Sequence, residues 1–282
     1  MSDINIYADQ TAIDALTPIT GDVVLRADDN AVLLYNGSAW KEFQPDAGPA
    51  FTNDYSLSFD GTDDYIQTSN SFLSMFQSSF SISAWAKLNN TSGLKFLIAL
   101  NVNGSSRYQL YTSGSTMYSF IESGNTNGDT LTSSTSSVSF TDWFHVCATF
   151  EQSGTSLIQK MYLNGSLVDS GTTSSIDLAN FSTTQTMLIG ARLTSGQYPV
   201  DGLIDEVSFF DSALSATDIS SSLINTSGSN PVPANISSLS PIHWWRMGDD
   251  GDSGTGTITD QGSVGVDIAL ENGPTFSTDV PS

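Results

Sequence analysis

Short runs in which apolar and polar residues alternate, punctuated by Gly, Asn, Ser and Thr, dominate this chain of 282 residues. Helical periodicity is nearly absent. In the run 80–86, Phe80, Ile82, Ala84 and Ala86 fall on one face and Ser81, Ser83 and Trp85 on the other. Phe144, Val146, Ala148 and Phe150 alternate in the same way, as a half-buried strand requires. The same reading predicts strands over 55–60, 95–101, 107–112, 116–122, 158–163, 166–169, 186–192 and 202–210. Asn164-Gly165 stands between two of these runs and predicts a two-residue hairpin turn, whose central positions both need positive φ. The Ser/Thr/Gly/Asn-rich region 123–139 reads as a long polar loop around a short strand. One helix is predicted, opened by the capping-box-like pair Ser215 and Asp218, with Ile219, Leu223 and Ile224 turned to the core. Many short strands with frequent turns describe an all-β chain, a two-sheet antiparallel β-sandwich rather than a barrel.

The pattern divides the chain. A first unit, residues 1–45, carries Val23-Val24-Leu25 and Val32-Leu33-Leu34-Tyr35 around Asp28-Asp29-Asn30, a hairpin signal, and ends at Gln44-Pro45-Asp46-Ala47-Gly48-Pro49. It holds few apolar groups for an independent core and is expected to need a partner surface. Residues 46–282 form the sandwich. Within them Pro231 and Pro233 make 226–234 a linker, since proline bars both helix interior and central strand.

Charge narrows the function. Eight Lys and Arg face 30 acids, a net charge of −22, and 25 of those acids are Asp by count from the sequence. Eight cations cannot form the basic stripe that neutralises many phosphates, so nucleic acid is excluded as a partner. An anionic membrane surface repels the chain, and no segment approaches the apolar length of a membrane span. Asp belongs to turns and metal loops, and self-repulsion of this size favours salty or calcium-rich surroundings. The single cysteine, Cys147, cannot form an intramolecular disulfide and reads as a buried small hydrophobe. Met1–Gln10 has neither a basic region nor an apolar run, so no export signal is expected.

From 55 to 225 the ordered pieces Leu57-Ser58-Phe59-Asp60-Gly61-Thr62-Asp63-Asp64-Tyr65-Ile66, Phe80-Ser81-Ile82-Ser83-Ala84-Trp85, Trp143-Phe144-His145-Val146, Tyr162-Leu163-Asn164-Gly165 and Gly202-Leu203-Ile204-Asp205-Glu206-Val207 resemble the laminin-G-like, concanavalin A-like lectin/glucanase superfamily. The resemblance implies a lectin-type jelly roll, a fold that lectins, adhesion modules and hydrolases share. His243-Trp244-Trp245-Arg246-Met247-Gly248-Asp249-Asp250 resembles the segment that normally opens this domain, yet stands near the end. It implies either a permuted domain or a truncated second copy. Some forty residues could hardly bury their own core, so 235–282 is expected to complete the sandwich. Gly21-Asp22-Val23-Val24-Leu25 and Leu34-Tyr35-Asn36-Gly37-Ser38-Ala39-Trp40 resemble short modules of bacteriophage structural proteins. That resemblance implies a homo-oligomeric virion protein anchored to other virion proteins through residues 1–45. A bacterial carbohydrate-binding or adhesion module is the alternative.

Candidate chemistry follows. A glycoside hydrolase needs two carboxylates flanking the scissile bond. Asp205 and Glu206 are adjacent, so a regular strand sends them to opposite faces, and a non-enzymatic protein is expected. His145 and His243 sit beside Trp and read as packed residues rather than bases. Asp205 alternates with Leu203, Val207 and Phe209. If that face is inward, its carboxylate is either metal-bound or hydrogen-bonded. With Asp60 and Asp63 of the turn after the first sandwich strand it makes a candidate Ca²⁺ site. Asp249-Asp250-Gly251-Asp252-Ser253-Gly254 resembles an EF-hand loop but lacks a Glu at its far end and flanking helices, so it reads as a solvated turn. Candidates for contacting a host surface glycan, by residue type, are Arg107, Tyr108, Tyr111, Tyr118 and Tyr198.

Overall fold

A computed structural model describes residues 5–20, 22–27, 31–42, 51–68, 73–101, 106–124, 128–133, 138–182, 186–226, 230–249 and 251–282. The turn predicted at Asp28–Asn30 and the boundary at Gln44–Pro49 lie outside them, as does Asp250. The chain divides into two compact units, Met1–Phe51 and Thr52–Ser282.

In the first unit, β1 (Asn5–Tyr7) runs parallel to β2 (Val23–Arg26), which pairs antiparallel with β3 (Ala31–Tyr35) and that with β4 (Trp40–Glu42). Helix α1 (Gln10–Asp14) is capped by Asp9, whose Oδ1 accepts the Ala12 N–H at 2.9 Å. Alternation sends Val24 and Leu33 to one side, where Ile13 completes a small core with Tyr7, Leu16 and Trp40 packed against it. Ile6, Val23 and Leu34 are left exposed.

The second unit is a two-sheet sandwich. Its strands are β5 (Ser56–Asp60), β6 (Tyr65–Gln67), β7 (Phe80–Leu88), β8 (Leu94–Asn101), β9 (Ser106–Ser113), β10 (Thr116–Ser123), β11 (Asp129–Thr132), β12 (Phe144–Ser153), β13 (Ser156–Leu163), β14 (Ser166–Thr173), β15 (Met187–Ile189) and β16 (Asp201–Phe210). Then follow β17 (Ile224–Asn225), β18 (Val232–Pro233), β19 (His243–Trp245), β20 (Thr257–Ile258), β21 (Ile268–Glu271) and β22 (Thr275–Ser277). One sheet has the order β11-β10-β9-β8-β15-β6-β21-β20; the other is β14-β13-β12-β7-β16-β5-β22, with β19 also paired to β16. Among the described residues every pairing within these two sheets is antiparallel.

The alternating residues do what the pattern predicts. Phe80, Ile82, Ala84 and Ala86 of β7 and Phe144, Val146, Ala148 and Phe150 of β12 are all buried in one core between the sheets. Asn164 and Gly165 have φ of 47° and 78°, and the ladder closes at Leu163 and Ser166, the two-residue hairpin expected of that pair. At Gly202 a Cβ would meet the Lys87 carbonyl at 2.2 Å, so only glycine lets β16 lie this close to β7. The predicted helix is shorter than its capping box suggests. Ser215 and Asp218 do form the box, but α2 (Ala216–Asp218) gives way to a π-helical turn, Ile219–Leu223. Ile219, Leu223 and Ile224 are buried. The segment read as linker contains β18, which pairs with β17 just before it so that Pro233 stands opposite Ile224.

Carboxyl-terminal strands enter both sheets. β21 pairs β6, β22 pairs β5, and β19 pairs the second half of β16. Trp245, Met247, Ile258 and Ile268 join the same core. Among the described residues no helix is long and apolar enough to cross a membrane.

Candidate functional site

Strand β9 sends Tyr108 and Leu110 into the core and therefore turns Arg107, Gln109 and Tyr111 outward. Its register sets Tyr111 between Phe96 of β8 and Tyr118 of β10. The three rings stack: Tyr111–Tyr118 centroids are 4.9 Å apart and Phe96–Tyr111 4.7 Å. Tyr198, from the loop before β16, extends the row at 5.7 Å from Phe96. The guanidinium of Arg192 lies 5.7 Å from the Phe96 ring and 5.8 Å from that of Tyr198, within cation–π range. Tyr198 has φ of 54°, uncommon for a bulky residue, and its carbonyl accepts the Phe96 N–H at 3.3 Å. It is 39% exposed, whereas Tyr111 and Tyr118 are half-buried. Burial, then the neighbouring Tyr118, pushes the Tyr111 hydroxyl above its ordinary pKa, so it remains a neutral donor. Because the rings stack on one another, a ligand meets their edges and hydroxyls, with ring surface most accessible at Tyr198.

Four of the five predicted glycan contacts thus lie outside the core. Arg107 stands further along β9, 2.5 Å from Glu122 and with its guanidinium over Phe120. Tyr108 is the correction. It is fully buried, edge-on to Phe80 and Phe150, and reaches no ligand. Strand parity carried the signal: Tyr108 shares its phase with Leu110 and not with Arg107 or Tyr111. Phe96 and Arg192 were not foreseen, because they come from a bulged strand and a loop.

The outward side of the other sheet is covered over β7 and β16. Leu223, Pro233, Ala234 and Ile236 lie over Ser83, Trp85, Glu206 and Ser208, leaving a cavity of about 10 Å³. Beneath this cover Ser83 Oγ and His145 Nε2 share a hydrogen bond of 2.7 Å, while His145 Nδ1 has no partner among the described residues. Burial lowers the His145 pKa to about 3, so it stays neutral. His243 Nδ1 meets Asp260 Oδ2 at 2.6 Å, with both side chains fully buried. Burial works against the Asp260 charge, but bonds from His243 and from the backbone N–H of Trp244, Val266 and Gly262 outweigh it and lower its pKa. Both histidines are packed residues.

On β16 strict alternation fails. The strand bulges between Asp205 and Ser208, Glu206 has φ of 49°, and the outer partner changes from β5 to β19. Val207 and Phe209 therefore enter the core, whereas Asp205 does not share their face, and Asp205 and Glu206 are not divided between opposite sides of the sheet. Both belong to one buried polar network. Asp205 Oδ2 accepts Asn53 Nδ2 at 2.9 Å, and its Oδ1 accepts the Glu206 N–H at 2.8 Å. Glu206 accepts Trp244 Nε1 and, at 3.1 Å, Arg246 Nε; Arg246 also donates to Asp249 at 2.9 Å and to the Thr52 carbonyl. Two carboxylates, Glu206 and Asp249, thus share one guanidinium, with Asp205 next to Glu206. Burial, then Glu206, raises Asp205 well above the carboxylate range; burial raises Glu206 to about 7 despite Arg246; and burial raises Asp249. The predicted solvated turn is likewise corrected. Asp249 accepts the N–H groups of Asp54 and Tyr55, and Asp252 accepts the N–H and the hydroxyl of Thr259, so both serve as buried acceptors.

Asp60 and Asp63 come together with Asp64, which the sequence reading left out. One carboxylate oxygen from each lies within 4.8 Å of the others. Asp60 also accepts the Thr62 N–H at 2.7 Å, and Asp64 accepts that of Asp60 at 2.9 Å. Asp205 is not in this group. The ladder sets Asp201, not Asp205, opposite Asp60, and four residues of strand separate the two by about 13 Å.

A family model described as the concanavalin A-like lectin/glucanases superfamily matches residues 60–220, more than half of the chain. Among solved structures, a candidate carbohydrate-binding protein from Bacteroides ovatus is similar with a TM-score of 0.60 at 16% identity, covering 96% of this chain and 72% of that one. A native heptameric SAP-like pentraxin from Limulus polyphemus is similar with a TM-score of 0.51 at 13% identity, covering 81% and 97%. The CBM40 domain of a Ruminococcus gnavus IT-sialidase has a TM-score of 0.48 at 14% identity, covering 58% and 94%. Among curated protein sequences none matches. The chain belongs to the concanavalin A-like lectin/glucanase superfamily.

Proposed function

We propose that this protein is a non-enzymatic surface protein of a bacteriophage particle, whose sandwich attaches to host glycans through the aromatic row. The observation that carries the reading is the row itself: Tyr118, Tyr111, Phe96 and Tyr198 aligned across the sheet with Arg192 beside them. It combines apolar ring surface with hydroxyl and guanidinium donors, the mixture that sugar recognition needs. Asp205 and Glu206 are buried, which supports binding without hydrolysis. The first unit supports a particle anchor through its small core, its exposed Ile6, Val23 and Leu34, and its resemblance to phage modules.

On a glycan array the full chain is expected to bind a subset of glycans. The Tyr111→Ala, Tyr118→Ala double variant loses about tenfold or more in affinity, since one such factor is 1.4 kcal/mol and aromatic contacts carry that much. An array without bound glycan, or unchanged affinity in the variant, overturns the assignment. Mass spectrometry of purified particles tests the virion reading; recovery of the chain from a bacterial polysaccharide-binding assembly instead favours the adhesion module.

The oxygens of Asp60, Asp63 and Asp64 suit a hard cation, and Ca²⁺ is the one we propose for them. Chelation is expected to lower the melting temperature by several degrees, and Asp63→Ala to remove that sensitivity. A melting curve indifferent to EDTA leaves the three carboxylates as turn acceptors.

A further inference from the structure

At one end of the covered sheet, away from the aromatic row, the structure holds a cleft of about 580 Å³. That volume falls within the range of small-ligand sites, about 300–1,000 Å³. Its walls include Lys87, Asp142, Trp143, Asn164, Asn230 and Asp279. The aromatic wall is fixed in advance. Asp279 accepts Trp143 Nε1 at 2.8 Å with one oxygen and Lys87 Nζ at 2.6 Å with the other. Burial opposes the Asp279 charge, but these two donors outweigh it and lower its pKa, so the clamp persists into mild acid. A locked indole loses little rotamer freedom when a ligand arrives. Asn164 is fixed as well, through its Oδ1 on the His145 N–H at 2.8 Å, which leaves its amide NH₂ as a donor. The exposed Asp142 adds a carboxylate acceptor and Asn230 a second amide.

These groups select a ligand class. A ring with several hydroxyls donates to carboxylates, accepts from amides and lays its C–H surface on an indole. An anionic ring would face Asp142 and Asp279, and the cleft's Lys87 is already paired. We propose that this cleft is a second glycan site, specific for a neutral sugar unit. The inference rests on the carbohydrate-binding reading above but uses residues that the aromatic row does not.

Calorimetric titration of the full chain with methyl glycosides of glucose, galactose, mannose and N-acetylglucosamine is expected to show at least one binding at about 1 mM, the scale set by ligand efficiency for so small a molecule. Trp143→Ala weakens it about tenfold or more. Asp142→Ala, at an exposed position, weakens it with the melting temperature unchanged, which separates a contact from a folding effect. The Tyr111, Tyr118 variant leaves it intact. If none of the neutral glycosides binds, or binding survives both cleft variants, the cleft is not a sugar site, while loss of array binding in the tyrosine variant still upholds the row. Tighter binding of methyl glucuronoside than of the neutral glycosides also overturns the proposal.

Discussion

A chain ending at residue 234 is expected to be unfolded or aggregated. It lacks β19, β21 and β22, and with them the partners of β16, β6 and β5 in both sheets. It also loses Trp245, Met247, Ile258 and Ile268 from the core and the partly buried Phe276 beside it. At about 1.5–3 kcal/mol for each buried side chain the loss reaches roughly 10 kcal/mol. Whole domains are stable by only about 5–15 kcal/mol. The exposed flank of β5 would add unpaired N–H and C=O groups, a template for aggregation. Circular dichroism and size-exclusion chromatography of the shortened chain check this. A soluble product with the full chain's melting curve would show that the final segment is an accessory to the sandwich.

The second large effect belongs to Arg246. Replacing it by Met leaves Glu206 and Asp249 buried without their shared cation, with the carboxyl of Asp205 beside Glu206. Removing one partner of such a group costs about 3–5 kcal/mol, or roughly 10 °C in melting temperature for a domain of this size. Acid should rescue it, and the sign follows from the protons. Glu206 has its folded pKa raised to about 7, from 4.5. Between those values the folded state holds a proton that the unfolded chain releases, so stability falls as pH rises through the window. Asp205 and Asp249 act in the same direction. His145 opposes them. Its folded pKa is lowered from 6.5 to about 3, so its contribution is present above 6.5 and is lost as pH falls. The buried carboxylates together outweigh the single histidine, so the native melting temperature should fall as pH rises from about 4.5 to about 7. Glu206→Gln reduces that fall. Scanning calorimetry in high salt checks it, because salt screens the surface share of a −22 charge but not a buried cluster. A melting temperature that does not fall between about pH 4.5 and pH 7 would mean that these carboxylates are ionised at no cost.

Much of the body was legible because the evidence for it is local. Alternation in 80–86 and 144–150 placed eight core residues, and Asn164-Gly165 placed a hairpin, since both depend on backbone geometry over a few residues. The candidate site was legible by residue type and less so by position. Tyr111 and Tyr118 lie on the outward face, yet Tyr108, three residues before Tyr111, is core. Parity along one strand would have separated them. No comparable cue existed for Asp205, because a bulge inserts one residue and exchanges the faces of everything beyond it.

By itself, then, the amino-acid order determined the class of fold, the two-residue turn, the acidic character and the residue types available for sugar contact, because periodicity, turn chemistry and charge are properties of neighbouring residues. Tertiary structure alone decided which of those residues meet. The row of Tyr118, Tyr111, Phe96 and Tyr198 joins residues 102 positions apart; Arg246 reaches Glu206 through the pairing of β19 with β16; and Trp143 acquires its clamp from Asp279. Contacts between distant segments are set by register, bulges and packing of whole sheets, which no short stretch of sequence encodes.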